Sequence, residues 1–103
     1  MKPGAVLVNI ARGGVVDDQA LAVALQAGRP GAAGLDVMEN EPHLDPGLLG
    51  LENVVLTPHI GSATPSSRRA MVSLAIDNLR QGLRGQRPAA LLNAEVWEHR
   101  RPA

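Results

Sequence analysis

Five polar residues carry most of the chemistry this chain can offer: Arg12, Asp36, Glu39, Glu41 and His59. An arginine can clamp a carboxylate through two parallel, charge-assisted hydrogen bonds. An imidazole can give and take a proton near neutral pH, and a carboxylate beside it can fix its orientation. Each of these residues follows or ends a short apolar run. Arg12 comes after Ala5–Ile10 and opens onto Gly13-Gly14. Asp36 ends the run that begins at Ala32, and Glu39 and Glu41 follow. His59 comes after Asn53–Thr57 and Pro58, with Gly61 and Ser62 beyond it. Singly, each also suits a solvated turn, a loop cap or a strand end. Their common place just past a run of strand type is what sets them apart.

The elements that must position them can be read from the same runs. Ala5–Ile10 is short, β-branched and stopped by glycine, as expected of a strand buried on both faces. Asp17 or Asp18 can cap a helix whose apolar face is Leu21, Ala24 and Leu25, with Gly28 and Pro30 ending it. Ala32–Val37 and Asn53–Thr57 read as two further strands. Between them a loop rich in proline and glycine carries the Leu48-Leu49-Gly50-Leu51 patch, expected to fold back onto the body. Thr64-Pro65 starts a second helix, with Met71, Leu74, Ala75, Asn78, Leu79 and Leu83 along one stripe. Strands joined by helical connections imply a parallel α/β sheet. Its strand carboxyl ends then share one edge, where ligands of open α/β sheets bind. Two helices are too few to cover both faces of three strands, so the pattern reads as part of a larger sheet.

Composition narrows the classes further. The chain has 103 residues, eleven glycines, eight prolines, no cysteine and a single aromatic side chain of the Phe, Tyr and Trp class, Trp97. The core must therefore come from aliphatic residues and alanine. A disulfide scaffold, thiolate metal ligands and a cysteine nucleophile are excluded. His43, His59 and His99 lack short metal-ligand spacing, so no metal is expected. No run approaches the roughly 18 apolar residues of a membrane helix, and no signal-like segment opens the chain. A cytoplasmic location without membrane contact is the expectation. Net charge is zero, but three cations face seven carboxylates up to Ser62, while seven arginines face three carboxylates beyond it. A solvated basic helix and tail explain this better than nucleic-acid binding, because aromatic interleaving is missing.

Three segments carry a resemblance. Val8–Asp17, reading VNIARGGVVD, resembles the first C-terminal signature of the D-isomer-specific 2-hydroxyacid dehydrogenases. Ala33–Val37 with Glu41-Pro42 resembles the second, and Leu56–Thr64, reading LTPHIGSAT, the third. The order and spacing also agree, over about residues 1 to 93, and the closest likeness is to the glyoxylate/hydroxypyruvate reductase branch. The resemblance implies a partial Rossmann-like fold, the C-terminal half of an NAD(P)-binding domain, over residues 1–85. Residues 86–103 would form an extended tail returning towards a substrate-binding domain. Arg12, Glu41 and His59 would be catalytic: Arg12 binds the substrate carboxylate, His59 is the general acid and base, and Glu41 orients His59. Ala11, Arg12, Asp36, His59, Gly61 and Ser62 would contact the cofactor, NAD or NADP, with Asp36 on the nicotinamide amide. The substrate would be a small 2-oxo or 2-hydroxy acid, and a homodimer is implied.

The dinucleotide fingerprint G-x-G-x-x-G is absent from the chain, and Met1-Lys2-Pro3-Gly4 is similar to an internal stretch of the family. The chain is therefore expected to be a fragment that does not turn over substrate alone. Two other readings remain open on the sequence: a dehydrogenase-like interaction protein of co-repressor type, and a truncated product without function.

Overall fold

The computed structural model describes residues 1–100. The chain divides into two compact units, Met1–Ser62 and a second beginning at Ala63. The first holds a three-stranded parallel sheet in the order β1-β2-β3, formed by Val6–Asn9, Ala32–Leu35 and Val54–Leu56. The helix α1, Asp18–Gln26, joins β1 to β2. Asp17 starts it by accepting the Ala20 N–H at 2.8 Å, as a cap should. At its other end Gly28 adopts φ +75°, a left-handed conformation that glycine enters without steric cost. Its neighbour Arg29 donates its N–H back to the Ala24 carbonyl at 2.9 Å, closing the last turn.

Strand register explains the core. Leu7 pairs with Ala33 and Ala33 with Val54; Asn9 pairs with Leu35 and Leu35 with Leu56. These two rows face one side, because side chains alternate along a strand. There they meet Leu21, Ala22 and Leu25 of α1, together with Met38 and Leu48. Leu48 is fully buried, so the patch read from sequence does fold back onto the body.

The opposite row corrects one expectation. Val8, Gly34 and Val55 align across the sheet, and Val8 and Val55 are 65% and 66% exposed. β1 is therefore buried on one face only: its β-branched composition matches a two-sided strand, but α1 covers just the side of Leu7. β1 and β3 are also shorter than the apolar runs that announced them.

The second unit contains α2, Pro65–Leu83, with no buried residue. Thr64 caps it by accepting the Ser67 N–H at 3.1 Å, and Pro65 occupies the first turn. Residues 86–93 lack regular structure, but Ala94–His99 forms a short 3-10 helix where the sequence suggested an extended tail. Arg100 stacks on the Trp97 ring, 3.8 Å from its centre. Positions 101–103 of that tail lie outside the described residues.

One contact tests the packing of the β1 loop. A Cβ on Gly13 would run into the Met38 carbonyl group, whereas one on Gly14 meets nothing within 4 Å. Gly13→Ala is expected to lower stability by about 1–3 kcal/mol or more through overpacking. Gly14→Ala is expected to change it little or raise it by about 0.4–1 kcal/mol. Urea denaturation of both variants checks the contrast.

Candidate active site

All three strands end at one edge, and the loops that leave it are shaped by side-chain acceptors. Asn9, the last residue of β1, is buried. Its Oδ1 accepts the Ala11 N–H at 3.1 Å and its Nδ2 donates to the Arg12 carbonyl at 3.0 Å. Its own carbonyl accepts the Asp36 N–H at 3.0 Å. Asn9 thus fixes the turn bearing Ala11 and Arg12 while extending the pairing with β2. Asp18, also buried, accepts the Glu39 N–H at 2.9 Å and ties the start of α1 to the loop after β2.

The loop after β3 carries His59. Asp36 is 7% exposed. Its Oδ1 accepts from the Thr57 hydroxyl at 2.5 Å and the Ile60 N–H at 2.9 Å, and its Oδ2 accepts the Gly61 N–H at 2.8 Å. Those three bonds hold the Asp36 carboxyl below the ordinary carboxylate range, the Thr57 hydroxyl contributing most. Between the bonded positions, His59 adopts φ 55°, the left-handed region that is uncommon without glycine.

His59 and Glu41 lie against each other at this edge. Nδ1 of His59 lies 2.8 Å from Oε2 of Glu41. The second oxygen of Glu41 accepts the Met38 N–H at 3.0 Å. The bond with His59 is the largest cause holding the Glu41 carboxyl below its ordinary value, followed by the Met38 amide. An ionised carboxylate only accepts, so Nδ1 of His59 carries the proton between them. Nε2 is left as the nitrogen that exchanges a proton with anything bound beside it. The pair borders a cleft of about 300 Å³ whose apolar wall includes Met38, Leu44 and Leu56.

Of the residues read from sequence, Asp36, Glu41, His59 and Gly61 are brought together. Arg12 is exposed, and its Nη1 donates to the Ala11 carbonyl at 2.6 Å. Among the described residues no hydrogen bond or ion pair joins it to Asp36, Glu41 or His59. Ala11 and Ser62 are exposed, and Glu39 contributes its backbone N–H rather than its carboxylate. Asn9, Asp18 and Thr57 do work that the sequence reading missed. The only signal for Asn9 was a polar side chain inside an apolar run. Among the described residues no cluster of three His, Cys, Asp or Glu could hold a metal, and no helix is long and apolar enough to cross a membrane.

Residues 1–61 match the family of the D-isomer specific 2-hydroxyacid dehydrogenase, NAD binding domain. The chain belongs to this family. Glyoxylate reductase of Pyrococcus furiosus is 55% identical over 102 residues, which cover 99% of this chain and 30% of that protein. Glyoxylate/hydroxypyruvate reductase B of Shigella boydii is 50% identical over 97 residues, 93% of this chain and 30% of that protein. The crystal structure of the NADPH-dependent glyoxylate/hydroxypyruvate reductase of Sinorhizobium meliloti, in complex with NADP and malonate, superposes with a TM-score of 0.73 at 49% identity. That match covers 77% of this chain and 25% of the other. The chain thus spans about 30% of the length of the dehydrogenase relatives it matches, and its parallel sheet is the Rossmann-type element of their nucleotide-binding domains.

The lowered carboxyls of Asp36 and Glu41 make stability depend on acid. A carboxyl whose folded pKa lies below its unfolded value stabilises fully above the unfolded value, and loses that contribution as pH falls through the folded one. The urea midpoint is expected to fall as pH drops below the ordinary carboxylate range. Glu41→Gln is expected to flatten that fall; urea titrations from neutral pH to pH 2 measure it.

Proposed function

We propose that this chain forms the proton-transfer edge of a nicotinamide-dependent 2-oxo acid reductase, acting on small acids of the glyoxylate and hydroxypyruvate type. The observation that carries the reading is the His59–Glu41 pair, 2.8 Å apart, on the strand edge of a chain that belongs to the 2-hydroxyacid dehydrogenases. In this reading residues 1–85 are the C-terminal half of the nucleotide-binding domain, and 86–103 lead back towards a substrate-binding domain. A cytoplasmic homodimer is the assembly we expect.

The residues present fit a nicotinamide ring. Oδ1 of Asp36 has two donors already, but Oδ2 has one, which leaves an acceptor position for a carboxamide N–H. Gly61 leaves that side open: a Cβ there would stand 2.9 Å from Oδ2. Ala11, Arg12, His59 and Ser62 would complete the contacts to NAD or NADP. The chemistry such a cofactor supplies is hydride transfer to or from the substrate's second carbon.

The chain's own residues supply the rest. Arg12 would engage the substrate carboxylate with its planar guanidinium, turning away from the Ala11 carbonyl to do so. Protonated His59 would donate from Nε2 to the carbonyl oxygen in reduction, and neutral His59 would accept that proton in oxidation. Glu41 keeps the ring in the tautomer that presents Nε2, and its negative charge offsets the positive charge of the imidazolium.

A chimera tests this directly. Residues 1–103 replace the matching segment of the Pyrococcus furiosus glyoxylate reductase, which supplies the remaining length. The chimera is expected to reduce glyoxylate with NADH or NADPH, and His59→Ala to lower kcat by about 100- to 10,000-fold. Undiminished turnover in the His59→Ala chimera would remove the proposed role.

A further inference from the structure

We infer that Asp36 is a positioning residue: it clamps the turn from Thr57 to Gly61 so that His59 reaches Glu41. The inference deepens the proposed function and rests on it for the meaning of His59, but its geometry stands apart. One carboxylate takes donors from residues on both sides of His59: Thr57 before it, Ile60 and Gly61 after it. The turn's own bond, His59 N–H to the Thr57 carbonyl at 3.0 Å, spans only Pro58. The left-handed φ of 55° at His59 therefore lies inside a segment fastened at both ends to a single side chain. That side chain is itself buried and bonded at the end of a strand. Asp36 follows β2 directly, is 7% exposed, and donates its own N–H to the Asn9 carbonyl at 3.0 Å. Gly61 has to lack a Cβ for its amide to come this close.

Asp36→Asn separates a clamp from a bystander. An amide keeps one acceptor oxygen and turns the other position into a donor. Either the Gly61 or the Ile60 N–H then faces an NH2 group and loses its acceptor. Amide hydrogen exchange at that residue is expected to quicken at least tenfold, while exchange within α1 stays as it was. The titration of Glu41, followed by carbon NMR of its carboxyl, gives the second readout, and its sign is diagnostic. Charge removal alone would lower the Glu41 midpoint further, because the Asp36 charge raises it. Loss of the His59 contact would raise the midpoint towards its ordinary value, because that contact is the largest cause lowering it. A rise is the expected result. An unchanged or lower midpoint, with Ile60 and Gly61 exchange unaltered, would overturn the inference.

Thr57→Val keeps the charge and nearly the same shape, and decides the matter if Asp36→Asn fails to fold. It is expected to raise the midpoints of both Asp36 and Glu41, the latter less than Asp36→Asn does. A Glu41 midpoint that stays fixed in Thr57→Val would count equally against the clamp. Neither readout uses cofactor or turnover. A failed clamp and a failed reductase reading are therefore told apart.

Discussion

A parallel sheet delivers every strand to the same edge, and there the hydrogen-bond ladder stops. The next backbone N–H groups still need acceptors. In this chain side-chain oxygens of Asn9, Asp18, Asp36 and Glu41 supply them, accepting from Ala11, Glu39, from Ile60 and Gly61, and from Met38. The residues that close off the sheet edge are thus the ones that shape its loops. By the same constraint His59 and Arg12 are carried on turns whose form is set by neighbouring oxygens rather than by regular structure.

The electrostatics follow the same pattern. Asp36 and Glu41 repel each other, as the upward influence of Asp36 on the Glu41 carboxyl records. At Glu41 hydrogen bonds outweigh that repulsion, and at Asp36 they outweigh the cost of burial, so both carboxyls are held below their ordinary values. For Glu41 this matters chemically, because an ionised carboxylate can only accept and so fixes the proton on Nδ1. An exposed ion pair contributes little to stability, and this one is about half exposed on the histidine side. Its value lies in orientation.

The order of elements, the Thr64 cap, the Gly28 stop and the burial of Leu48 were legible in the sequence because each rests on local chemistry or on aliphatic pattern. The convergence of Asp36, Glu41 and His59 was legible too, once the strands were taken as parallel. The bare row of Val8 and Val55 was not, since β-branched residues look alike whether one face or two are covered. Asn9 and Thr57 were hidden for a related reason. Their roles depend on which backbone amide comes near in space, and spacing along the chain carries no record of that. Arg12 shows the opposite limit: the family signature marks it, while the structure leaves its guanidinium on its own loop.

The proposed chemistry depends on the proton between His59 and Glu41. Long-range proton–nitrogen NMR correlations of the neutral imidazole distinguish its two ring nitrogens. The expected result is a proton on Nδ1 and a bare Nε2, in this chain without any ligand. A neutral ring protonated on Nε2 would contradict this, because Nδ1 would then have no hydrogen for Glu41 to accept and Nε2 no lone pair to offer.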